Sequence, residues 1–162
     1  IEDIRIGVTE MHFEPMIYDK AANGLEAKFC MGYCIAAALL DGDVTLQSFE
    51  EVEIPRINAS GIVEKVWMEL DDRVKGNSEF GSVVTITLNS GQVLEKIVPL
   101  AIGKPERWFP KRKLETKFHD CCSSVISKEH AAKIFTLSQA FEDARSLKPL
   151  CNAVGQSTVL AE

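Results

Sequence analysis

The sequence predicts an α+β fold: an antiparallel sheet, read as a meander, packed on a buried central helix and followed by a C-terminal helical segment. Three observations carry that prediction. Short alternating apolar segments recur at 3–9, 66–70, 83–88 and 93–100, the two-residue period of half-buried strands. Between the first and second of these lies a run, Leu25 to Leu40, in which nearly every residue is apolar or small and Lys28 is the only charge after Glu26. Beyond Gly103–Pro110 the period becomes helical, with Leu114, Phe118, Cys121 and Val125 on one face.

In chain order, Ile4, Ile6 and Val8 form the apolar face of the first strand. The segment from Glu10 to Asn23 is a long connection with His12 at its start; a histidine at a strand end is a candidate acid or base, but is more often structural or solvated. Gly24 then opens the apolar run and Asp41-Gly42 closes it, since glycine can take the left-handed conformation that ends a helix. A helix apolar all round must be wrapped by protein on most sides. Tyr33 is ionisable among these apolar neighbours, and a buried phenol needs a partner. It is either tied into the core or aimed into a site.

Thr45 to Glu53 reads as a short helix plus loop. Pro55 suits a first helical turn, and the helix it starts is expected to run to about Lys65. Val66 to Leu70 is the second strand, 71–80 a polar connection, and Val83–Leu88 with Val93–Leu100 a hairpin turning at Asn89-Ser90-Gly91. In the tail, Ser127 is a candidate N-cap for a helix with the stripe Ile134, Leu137, Phe141 and Ala144, and Pro149 begins a last short helix.

Charge and cysteines narrow the function classes. The net charge of −6 sits in residues 1–50, which hold nine acids and three bases. No basic stripe interleaved with aromatics is present, so nucleic acid is not an expected partner. The one basic concentration is Lys104, Arg107, Lys111, Arg112, Lys113 and Lys117, read as a solvated loop and first helical turn with an anion site as the alternative. No apolar run reaches the ~18–20 residues of a membrane span. The five cysteines include no C-x-x-C, and Cys30 and Cys34, one helical turn apart, lack companion ligands at metal-site spacing. Free thiols, no metal and a reducing, cytoplasmic setting are expected. The chain starts at Ile1 and enters a strand at once, which gives the expectation of a piece of a longer protein.

The stretch Lys28, Phe29, Cys30, Tyr33, Ala36 to Leu40, Asp41 and Gly42 resembles the MmgE/PrpD family, with Cys30 standing where serine is usual. The hairpin VTITLNSGQ at Val84–Gln92, Gly103 to Pro105, and LETKFHDC at Leu114–Cys121 extend the likeness over most of the chain. The resemblance implies a lid-type α+β domain over 1–103 and, over 104–162, helices that pack on a helical domain N-terminal to Ile1. It also implies a homodimer when complete. Family members are dehydratases, decarboxylases and epimerases that move a proton next to a carboxylate of a small di- or tricarboxylic acid, without metal or other cofactor. Tyr33 is implied as a proton donor or carboxylate clamp, the piece itself being inactive. Lys28, just before it, reads as structural, or as a substrate contact where it points to the cleft. The alternative is a non-catalytic binding or regulatory domain of the same fold.

Overall fold

The computed structural model describes residues 1–75 and 81–156. The chain divides into two compact units, Ile1–Trp108 and Phe109–Glu162.

In the first unit, strands β1 (Asp3–Val8), β2 (Val66–Leu70), β3 (Ser82–Thr87) and β4 (Val93–Val98) form one sheet in the order β2-β1-β3-β4. The fold class is the expected α+β. The sheet is mostly antiparallel, and the meander is confined to β3 and β4, which turn through Gly91 at φ +83°. β1 lies between β2 and β3, antiparallel to β3 and parallel to β2. Parallel neighbours require a long crossover, usually helical, and residues 9–65 are that crossover. Alternation in sequence marks strands but not their neighbours.

Ile4, Ile6 and Val8 are buried on one face, against Met31, Ile35, Met68, Val84 and Ile86. On the opposite face Arg5 is flanked by Trp67 and Thr85. A short strap crosses that face. Asp71 N–H donates to Val8 O at 3.1 Å, and Arg73 reaches from Asp71 Oδ2 (2.6 Å) to Glu95 Oε1 on β4 (3.0 Å). Gly7 makes room for it: a Cβ there would stand 2.6 Å from Asp71 Oδ2.

The expected single helix over 25–40 is two helices, α1 (Gly24–Ala27) and α2 (Met31–Asp41). The break is at Cys30, extended at φ −118° and ψ 106°, whose Sγ accepts the Tyr33 N–H at 3.4 Å as the N-cap of α2. Asn23 caps α1 by accepting the Glu26 N–H at 3.0 Å, while Glu26 Oε2 accepts the Ala22 N–H. Gly42, at φ +80°, ends α2 as expected.

α2 is sandwiched rather than wrapped. Met31 and Ile35 face the sheet, while Tyr33, Ala36 and Ala37 face a second layer of Ala21, Ala27, Ile54, Ile57 and Val63. Its buried residues are mainly small; Leu39 and Leu40 are exposed, as are Leu25 and Phe29 just before it. Composition hides this difference, because small side chains let neighbouring backbone approach and large ones are left outside. At Gly32 a Cβ would lie 2.8 Å from Val63 O. Helix α3 (Glu53–Asn58) stops well short of Lys65, since Gly61 turns left-handed at φ +69° and helices do not continue through such a residue.

The second unit holds α4 (Lys111–Cys122), α5 (Lys128–Gln139) and α6 (Lys148–Gly155). Ser127 caps α5 through the His130 N–H at 3.2 Å, and Pro149 sits in the first turn of α6. Both were legible in the sequence. Its core is small: Ile126, Ala131, Ile134 and Ala153, lined by Phe118, Cys122, Leu137 and Leu150. α4 buries no residue fully.

Candidate functional site

The residues singled out on the apolar run converge on one corner of the first unit, where the 3₁₀ turn Gln47–Phe49 packs against α1 and α2. Tyr33 is fully buried on α2, and its hydroxyl donates to Ser48 O at 2.6 Å. The Tyr33 phenol thus has a backbone partner within the core of the first unit. Lys28, on the turn between α1 and α2, is exposed, with Nζ over the Phe49 ring at 5.7 Å from its centroid. The Phe49 ring lies 6.2 Å from that of Tyr33, the planes at 30°. Lys28 and Tyr33 are thus joined through Phe49.

The turn is held from several sides. Ser48 Oγ accepts the Thr45 N–H at 3.1 Å, and Glu51 Oε1 accepts the Gly24 N–H at 3.0 Å. Gly24 must be glycine: a Cβ would fall 2.0 Å from Phe49 O. Ser48, Phe49 and Glu51 escaped the sequence reading because nothing in their spacing marks them. Asn23 to Glu26 could have been read, as a cap residue followed by Glu at the third helical position.

Burial governs the electrostatics. Desolvation, followed by the negative charge of Glu53, pushes the Tyr33 phenol up to about 12, so it is neutral across the physiological range. Desolvation likewise raises Cys30, and raises Cys34 to about 11. These thiols are poor nucleophiles. All five cysteines are free.

Other expected positions lie elsewhere. His12 sits on the 3₁₀ turn Glu10–His12 after β1, its Nδ1 3.2 Å from Thr9 Oγ1. In the basic segment, Arg107 donates to Leu100 O at 2.6 Å, while Lys111, Arg112 and Lys113 are exposed in the first turn of α4. A shallow hollow of about 380 Å³ on α4 mixes Arg112 and His119 with Glu115 and Asp120, a lining without anion preference. Among the described residues, no three His, Cys, Asp or Glu side chains are placed to hold a metal, and no helix is long and apolar enough to cross a membrane.

The MmgE/PrpD C-terminal domain matches residues 1–143. The chain belongs to the MmgE/PrpD family. It is similar to cis-aconitate decarboxylase of Homo sapiens, 25% identical over 119 residues, which are 73% of this chain and 25% of the human protein. The same protein of Mus musculus is 24% identical over 119 residues. The chain therefore spans about a quarter of the length of the curated relatives it matches. Cys30 is the N-cap of α2, a position for which serine is among the preferred residues.

Proposed function

We propose that this chain is the C-terminal part of an MmgE/PrpD enzyme that moves a proton next to a carboxylate of a small di- or tricarboxylic acid. Lys28 is its carboxylate contact. The observation that carries the reading is the family match over residues 1–143 together with the exposed ammonium of Lys28, held over Phe49. An ammonium kept in place on an aromatic face is suited to meet a carboxylate.

Dehydration, decarboxylation and epimerisation share the proton transfer, and the similarity to cis-aconitate decarboxylase makes cis-aconitate the first substrate to try. The acid/base groups come from a helical domain that completes the site, in a homodimer, with no metal or other cofactor. The chain alone is inactive. A second reading, a binding domain without catalysis, is favoured by one observation: the Tyr33 hydroxyl is already engaged by Ser48 O.

Equilibrium binding tests the substrate class. Cis-aconitate and citrate are expected to bind the chain weakly and to lose binding in Lys28→Ala, while a neutral diamide of similar size does not bind. Equal binding of the diamide would overturn the carboxylate reading. Release of carbon dioxide from cis-aconitate by the chain alone would overturn the division of the active site.

A further inference from the structure

We infer that Tyr33 is a positioning residue that sets the place of Lys28 through Phe49. The inference rests on the carboxylate reading of Lys28 for its functional meaning, and on geometry for everything else. A phenol has one proton to donate, and Tyr33 spends it on Ser48 O at 2.6 Å in a fully buried setting. While that bond stands, the hydroxyl cannot donate to a substrate. It can fix the residue that follows Ser48.

Phe49 is bracketed on both sides. Before it, Ser48 is tied by its carbonyl to Tyr33 and by its hydroxyl to the Thr45 N–H. After it, the Glu51 carboxylate takes the Gly24 N–H, and the absence of a side chain on Gly24 lets Phe49 O approach the start of α1. The ring so held has Tyr33 at 6.2 Å and the Lys28 ammonium at 5.7 Å. The negative face of an aromatic ring attracts a cation, so an otherwise mobile lysine is given a preferred position before any ligand arrives. That reduces the ordering cost of binding. Loss of the Tyr33 hydroxyl removes one of the holds on Ser48, leaving the Thr45 contact, and so loosens Phe49 and with it Lys28.

The test is NMR on the full chain with ¹³C-labelled lysine, following the Lys28 ε-methylene. Its protons are expected upfield of those of the other lysines, because they lie over a ring. Phe49→Leu abolishes the upfield shift, and Tyr33→Phe abolishes or halves it while the Ile4 and Ile6 amide signals of β1 stay in place. Retention of the full shift in Tyr33→Phe would overturn the positioning role. Phe49→Leu leaves the Tyr33–Ser48 bond intact and so probes the link from its other end. Titration with cis-aconitate is expected to move the Lys28 signal, with an apparent Kd weakened about 2–5-fold in both variants, the scale of one exposed cation–π contact. If cis-aconitate leaves that signal unmoved while the upfield shift behaves as expected, the carboxylate reading fails and the positioning role stands.

Discussion

The two units use helices differently. In Ile1–Trp108, α2 is caught between a sheet and a helical layer, and contact is made close by glycine and alanine: Gly24, Gly32, Ala36 and Ala37 are all buried. In Phe109–Glu162, three helices and the turn between the first two bury only Ile126, Ala131, Ile134 and Ala153 among the described residues. Phe141 and Leu147 stay exposed beside a depression of about 350 Å³ between the end of α5 and α6. Helix content is therefore a poor guide to stability. What separates the units is how much apolar surface each removes from water, and a unit this small buries a modest fraction of its surface.

The largest expected effect breaks the better core. Ile57 on α3 is fully buried in the cluster it shares with α2, so Ile57→Ala should cost about 3–4 kcal/mol, as large-to-small changes at well-packed sites do. The matching change Ile134→Ala, at a site 7% exposed in the thinner core, should cost about 2 kcal/mol or less, at the low end of the same range. Urea unfolding followed by circular dichroism measures both. Equal costs would mean that the second unit is as well packed as the first.

A smaller effect lies on the outer face of the sheet. Gly7→Ala puts a methyl group into Asp71 and should cost about 1–3 kcal/mol, the range for overpacking. The Arg73 guanidinium bonded to Asp71 holds that carboxyl below its usual range. A carboxyl depressed in the folded state contributes stability that is full above its unfolded value near ~3.9. That stability is lost as pH falls through the lower folded value. Gly7→Ala should therefore flatten the acid side of the stability profile, and the same flattening should appear in Asp71→Asn.

How much of this could be read in the sequence follows from what each contact needs. The strands, the hairpin at Gly91, the stop at Gly42 and the Ser127 cap are local, set by residues within a turn of one another, and all were legible. The insertion of β1 beside β2 was not, since Ile4 and Val66 are register partners across a crossover that leaves no mark in either strand's pattern. The break at Cys30 was hidden by composition, because a thiol reads as a small apolar residue and acts here as a cap. At the candidate site, Lys28 and Tyr33 were visible as polar groups in an apolar run. Their link through Phe49 was not, because it depends on a turn that meets the helix only in three dimensions.

Tyr33→Phe comes next in size. It removes the donor to Ser48 O and should cost about 1 kcal/mol, the net worth of one hydrogen bond. The phenol also gives the first unit an alkaline signature. Its value is raised to about 12 in the folded state against ~10 when unfolded. Its contribution is thus full below the unfolded value and is lost as pH rises through the folded one. Absorbance titration near 295 nm in a Tyr18→Phe background should show the remaining tyrosine ionising only near pH 12 or on unfolding. Ionisation near ~10 with the fold intact would mean that the phenol is not shielded from water.

The smallest expected effect is Cys30→Ser, and it bears on why the two units treat cysteine differently. Cys30 is fully buried and caps α2 through a 3.4 Å N–H···S contact, whereas Cys121 and Cys151 of the second unit are exposed. A hydroxyl is a better acceptor than a thiol and serine is a preferred cap, which favours the substitution. Against it, the buried site loses the larger, less polar sulfur. The two terms are opposed and of similar size, so Cys30→Ser should change stability by less than about 0.5 kcal/mol, while Cys30→Ala, which keeps no acceptor, should lose about 1 kcal/mol. A native-state thiol titration completes the test: Cys121 and Cys151 should react at once and Cys30 only on unfolding, because desolvation disfavours its thiolate. If Cys30→Ser cost as much as Cys30→Ala, packing of the sulfur rather than capping of the helix would be what holds this position.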